Sequence, residues 1–162
     1  MNDKAICEVM LYAYKDLERM CDKIEEKTWR IALGSIKNNV YEVADRLMNL
    51  TNEKIAYCNT KVILDKALTQ MKRCDELKAY HIQGLQCNDI AEQYNISVNL
   101  VCKRLGRQRE RLYQIIISNN KAEDLRAIIN NSRWLTGRYN AILEAQIQST
   151  TGEKIKGKGT HD

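Results

Sequence analysis

The chain has 162 residues, 44% apolar and 29% charged, proportions that exclude a disordered or collagen-like polymer and suit one folded domain or two small helical ones. It contains no Pro, no Phe and only seven Gly, so the usual breakers are scarce and long helices with few tight turns are expected. The net charge of +5 lies wholly in the second half: residues 1–70 balance eleven Lys/Arg against eleven Asp/Glu, whereas residues 71–162 hold fifteen against ten, which points an anionic partner to that half.

In chain order, the first expected element is a helix over residues 5–33. Met10, Leu11, Tyr14, Leu17, Met20, Cys21, Ile24, Trp29 and Ile31 recur at helical spacing between charged positions. Gly34-Ser35 marks its stop. A second helix is expected over about 36–50 with Val40, Val43, Ala44, Leu47 and Met48 inward, followed by a turn at Asn49-Leu50-Thr51-Asn52. A third, from Glu53 to about Arg73, presents Ile55, Val62, Ile63, Leu64, Ala67, Leu68 and Met71. These three segments (1–73) pack most simply as a helical hairpin or bundle, with their Tyr, Trp and Met residues in the core.

Residues 74–117 carry the strongest signal. A short helix, Asp75–Gln83, ends at Gly84. Gln86 or Asn88 can cap a helix over Cys87–Tyr94 in which Ile90, Ala91 and Tyr94 point inward, and Ala91 is small enough for a crossing helix. Asn95 tolerates the left-handed backbone that a tight inter-helix turn needs, Ile96 plugs the turn, and Ser97 caps the helix that follows. That pattern is a helix-turn-helix.

At 100° per residue, Ser97, Val101, Leu105, Gln108 and Leu112 share the packing face of the 97–113 helix, with Arg104 at its edge. Val98, Asn99, Cys102, Lys103, Gly106 and Glu110 share the opposing surface; Arg107 and Arg111 sit beside Leu100 on one flank and Arg109 on the other. Small and polar side chains at the helix start let its backbone approach a major groove. There Lys103 suits guanine O6/N7, Asn99 suits adenine N6/N7 and Val98 a thymine methyl. Arg104, Arg107 and Arg111 suit phosphates, which set register rather than read sequence. The candidate DNA-binding set is therefore Val98, Asn99, Cys102, Lys103, Arg104, Arg107 and Arg111.

The run Ile96-Ser97-x-x-Leu100-Val101-x-x-Arg104-Leu105-x-Arg107-Gln108-Arg109 resembles the recognition helix of region 4 in sigma-70 family factors. In extracytoplasmic-type members it reads Ile-Ser-x-x-Thr-Val-x-x-Arg-Leu-x-Arg-Ala-Arg. Asp89-Ile90-Ala91-Glu92 resembles the helix before it, and Tyr80-x-x-x-Gly84 the approach. Leu100 stands where the family has Thr and Gln108 where it has a small Ala, and residues 1–73 show no aromatic and basic region 2. The resemblance is thus to the small sigma-like regulators of phages and mobile elements of low-GC bacteria. It implies promoter DNA and RNA polymerase as partners.

After Ser118-Asn119-Asn120 a helix is expected over Ala122–Ala145, interrupted at Asn130-Asn131-Ser132 with Ser132 capping a second piece. This places a C-terminal helical segment at 118–148. Ser149 to Asp162, with Ile155 its one large apolar residue, reads as a disordered tail whose Lys154, Lys156 and Lys158 could touch phosphate.

The six cysteines follow no zinc spacing, and His81 and His161 are the only imidazoles. Reduced thiols in a cytoplasmic protein are expected, without cofactor, metal or membrane span. No Gly-rich phosphate loop, nucleophile–base arrangement or paired carboxylate supports an enzyme. The expectation is an all-α sequence-specific transcriptional regulator whose flanking helices, residues 1–73 among them, serve packing, contact with RNA polymerase or pairing with a second protomer as a homo-oligomer. The alternatives are a small-terminase-like DNA-packaging subunit, itself a homo-oligomer, and a protein–protein adaptor without DNA binding.

Overall fold

The computed structural model describes residues 2–34 and 39–156, with side chains through residue 148. The described residues are helical throughout, joined by short turns: α1 (Asp3–Ala13), a 3₁₀ turn (Tyr14–Asp16), α2 (Leu17–Gly34), α3 (Val40–Thr69), α4 (Asp75–His81), α5 (Cys87–Tyr94), α6 (Val98–Asn119), α7 (Ala122–Asn130) and α8 (Arg133–Lys156). No helix among them is long and apolar enough to cross a membrane.

α1 is the centre of the body. Ala5, Ile6, Cys7, Val9, Met10, Leu11 and Ala13 are all at most 1% exposed, so this helix is apolar on most of its circumference, as a helix surrounded by others must be. Asn2 caps it by accepting from the Lys4 amide at 3.0 Å, and the Asn2 amide donates to the Tyr139 hydroxyl at 2.8 Å, tying the helix start to α8. Around α1, the buried side chains of α3, α4, α6, α7 and α8 form one continuous cluster that includes Leu64, Leu77, Leu112, Ile116, Ile129 and Leu135. The helix expected over 5–33 is divided by the 3₁₀ turn at Tyr14–Asp16, which lets α1 run through the core while α2 leaves it.

The second correction concerns the turn expected at Asn49–Asn52. α3 passes through it as one helix of 30 residues. The polar groups that suggested a turn are satisfied within the helix: the Thr51 hydroxyl donates to the Leu47 carbonyl at 2.9 Å, and the Asn49 amide to Asp45 at 3.3 Å. With neither Gly nor Pro there, nothing stops propagation. At its other end α3 stops at Thr69, short of the expected Arg73. The expected start of this helix at 36, and Ser35 before it, lie outside the described residues.

α2 and α3 form an antiparallel hairpin. Its register is marked by ion pairs from Lys54 to Glu25 at 2.5 Å and from Lys61 to Glu18 at 2.7 Å. Burial is confined to the end nearest the body, where Leu17, Ile24, Ala56, Tyr57, Thr60 and Leu64 pack. Trp29, Val40, Ala44, Met48, Ile55 and Val62, expected inward, are instead exposed. The spacing identified an apolar stripe correctly, but no described element covers it.

α7 and α8 meet at Ser132, which is the cap that its position suggested. Its hydroxyl accepts from the Leu135 amide at 3.2 Å and donates to the Tyr57 hydroxyl at 3.1 Å, joining the α8 start to α3. Tyr57 in turn donates to Glu53 at 2.8 Å and meets Trp134 edge-on at 5.8 Å. α8 continues to Lys156, into the stretch read as a tail; residues 157–162 lie outside the described residues.

Candidate nucleic-acid interface

α4, α5 and α6 assemble the helix-turn-helix, and each junction has a local cause. Gly84 adopts φ +76°, which allows the Leu85 amide to return to the Ala79 carbonyl at 3.0 Å. A Cβ there would meet nothing within 4 Å. Gly84→Ala is therefore expected to cost only the left-handed backbone penalty, about 1 kcal/mol in chemical denaturation; a neutral result would show that the turn relaxes.

The Gln86 amide donates to Asp89 at 3.0 Å, fixing the start of α5. At its end Asn95 takes φ 50°, ψ 50°. The Ile96 amide bonds the Ala91 carbonyl at 3.0 Å and the Asn95 amide the Glu92 carbonyl at 3.2 Å, a Schellman closure with Asn95 in the left-handed position. The Ser97 hydroxyl then accepts from the Leu100 amide at 3.3 Å and starts α6.

Ile90 and Ala91 of α5 bury against Val101 and Leu105 of α6. Tyr94, expected inward, turns out to line a surface cleft. α6 then continues past the helix-turn-helix and buries Leu112, Tyr113 and Ile116 in the main core. α6 is therefore one continuous helix anchored at its far end.

Val98, Asn99, Cys102 and Lys103 are exposed together on the first half of α6, and this surface is not covered by any other described element. Arg104, Arg107 and Arg111 line an adjoining cleft of about 500 Å3 with Tyr94 and, from the segment before α4, Arg73. Arg73 was not singled out from the sequence, because the fold alone brings it beside α6. The cleft also holds Asp75 and Glu76, so it is cationic but not purely so. Lys103, Arg107 and Arg111 have no ion-pair partner among the described residues.

Arg104 is different. Its guanidinium donates to Glu76 Oε1 at 2.8 Å, Gln108 Nε2 donates to Glu76 Oε2 at 2.7 Å, and Gln108 Oε1 accepts from the Leu77 amide at 2.9 Å. Burial by itself would raise the Glu76 pKa, but the bonds from Arg104 and Gln108 outweigh it and hold the carboxyl below its usual range. Gln108, which departs from the sigma-type pattern, thus fastens α6 to α4 in a way a small side chain could not. Leu100, the other departure, is exposed beside Arg107 and Arg111.

Arg109 points the opposite way. Its Nε donates to His81 Nε2 at 3.0 Å, and its guanidinium lies over the rings of Tyr80 and Tyr12 at 5.3 and 5.7 Å. On the exposed surface of the first half of α6, Cys102 neighbours Cys87, whose thiol pKa is raised by burial and then by Cys102. All six cysteines are free thiols. Among the described residues no His, Cys, Asp and Glu side chains cluster in a way that could hold a metal ion. Lys154, Lys156 and Lys158 lie beyond the described side chains.

Comparison of the chain with protein-family models, with curated proteins and with solved structures found no match.

Proposed function

We propose that this protein binds double-stranded DNA by placing the first half of α6 in the major groove, and that it acts at promoters as a sigma-like transcriptional regulator working with RNA polymerase. One observation carries the reading: the uncovered Val98/Asn99/Cys102/Lys103 surface stands directly beside the arginine cleft, on a helix whose far half is locked in the core. Base edges would meet the first group, and phosphates would meet Arg73, Arg107 and Arg111. Arg104, held by Glu76, keeps α6 oriented against α4 and offers its remaining nitrogens to the backbone. The residue pattern shared with sigma region 4 supports the promoter setting.

Selection of bound sites from random DNA, followed by mobility-shift titration at physiological salt, tests this. Lys103→Ala is expected to weaken the selected site by about 1–3 kcal/mol, or about 5- to 150-fold, and to relax preference at one base pair. Arg107→Ala is expected to weaken all sequences alike and to reduce the salt slope by about one. Equal weak binding to every sequence, indifferent to both changes, would remove sequence recognition from the reading.

A further inference from the structure

The hairpin has an apolar side that the DNA-binding reading does not use. α2 turns Leu17, Ile24, Thr28 and Ile31 toward α3, and α3 turns Val43, Leu47 and Leu50 toward α2. At 100° per residue, Trp29 lies about a third of a turn, and Leu33 nearly half a turn, round α2 from its contact stripe. Tyr41, Met48 and Ile55 lie about a third of a turn round α3 in the same sense. In antiparallel helices, equal rotations in the same sequence sense come out on the same side of the pair. The groove of about 630 Å3 bounded by Trp29, Thr51, Ile55 and Cys58 lies on that side.

The side chains there are open to solvent: Trp29 is 68% exposed, Leu33 75%, Val40 77%, Tyr41 85%, Met48 63% and Ile55 49%. The other side of the hairpin carries Arg19, Lys23, Lys27, Arg30, Glu42 and Arg46. A two-helix layer with one apolar face is stable only when a second layer covers that face.

We propose that this face pairs with the same face of a second copy of the chain, so that two hairpins close into an intermolecular four-helix bundle about a two-fold axis. Two observations select a second copy as the occupant. First, the face carries little net charge: all four Lys/Arg of residues 17–34 lie on the other side, and of the α2 carboxylates left beside the face Glu18, Glu25 and Glu26 are paired with Lys61, Lys54 and Arg30, with Asp22 remaining. Such a surface meets itself with little like-charge repulsion. It gives no field to draw an anionic membrane or nucleic acid, and none to select a strongly charged protein.

Second, the area fits. With whole side chains of roughly 150–250 Å2, the six residues leave on the order of 700–800 Å2 uncovered per chain. This is close to the roughly 800 Å2 per partner of a standard stable interface and above the patch size usual on monomers. An isologous contact uses each side chain twice, so one patch supplies both halves of the bundle.

The pairing stands on the hairpin alone and does not depend on DNA binding. Sedimentation equilibrium of the full chain is expected to give twice the 18.8 kDa chain mass at micromolar concentration, with Trp29 emission, read in a Trp134→Phe background, shifting to the blue as the dimer forms. Tyr41→Asp and Met48→Asp, both at exposed positions where folding should survive, are each expected to raise the dimer Kd by about 30-fold or more, with helical content unchanged. Asn49→Asp, on the polar side, should leave it unaltered. A wild-type monomer throughout this range would overturn the proposal, whether or not the chain then bound lipid vesicles or purified RNA polymerase. So would a dimer that tolerates both aspartates.

Discussion

Replacing Ile6 by Ala is expected to lower the stability of the whole protein by about 3 kcal/mol, within the roughly 2–5 kcal/mol seen for such truncations, and to loosen α6 as much as α1. Ile6 is completely buried on the central helix, more than ninety positions before the proposed DNA-reading surface in sequence. The core it belongs to is also the one in which Leu112, Tyr113 and Ile116 anchor α6. Residues 74–117 by themselves bury little beyond Leu77, Ile90, Ala91, Val101 and Leu105 between α4, α5 and the start of α6, and a unit of that size rarely holds a stable core. The helix-turn-helix should therefore unfold with α1 rather than after it. Urea denaturation of Ile6→Ala, followed by circular dichroism and by hydrogen exchange at Val101 and Leu105, checks this. Unchanged protection of those α6 amides, with α1 destabilised, would show that the helix-turn-helix folds as an independent unit.

Acidification is expected to weaken the protein through His81. The imidazole is 4% exposed and sits edge-on to Tyr12 and Tyr80, each with centroids 4.9 Å away. Burial first, and then the charges of Arg109 and Lys15, lower its pKa from 6.5 to about 4. Because Nε2 accepts from Arg109, a proton there would remove the bond and set two cations side by side.

The unfolded chain takes up this proton near pH 6.5 and the folded chain only near pH 4. The stabilisation is thus complete above about pH 6.5 and falls as the pH drops from there toward 4, by about 3 kcal/mol in all. The Glu76 carboxyl, held below its usual range, adds its own loss once the pH falls below its ordinary value of 4.5. His81→Gln keeps an acceptor for Arg109 but does not titrate, so its denaturation midpoint should stay nearly level between pH 7 and 4.5 while that of the wild type declines. Parallel slopes in the two proteins would locate the acid sensitivity elsewhere.

Much of the helix-turn-helix was legible from local chemistry. Gly84, Asn95 and Ser97 have the backbone angles and cap bonds that their residue types suggest, since these depend on groups within a few residues. The wheel over 97–113 placed Val101, Leu105 and Leu112 inward and Val98, Asn99, Cys102 and Lys103 outward, as found. The helical class followed from the absence of Pro and from the apolar period. Local rules failed where a side chain had two local options, as at Thr51, whose hydroxyl bonds back to Leu47 instead of capping a new helix.

What tertiary structure alone decided was the partner of each face. Apolar spacing marks Trp29, Met48 and Ile55 as a stripe, yet whether a stripe is core or surface depends on which element crosses it, and no described one does. The arginines of α6 are alike in sequence. Arg109 is drawn inward by the buried His81 and two tyrosine rings, Arg104 is fixed by Glu76, and Arg107 and Arg111 join Arg73 at the cleft. Caps and turns are settled by bonds that span a few residues. Burial and charge pairing are settled by residues tens of positions away, so only the packed chain could sort them.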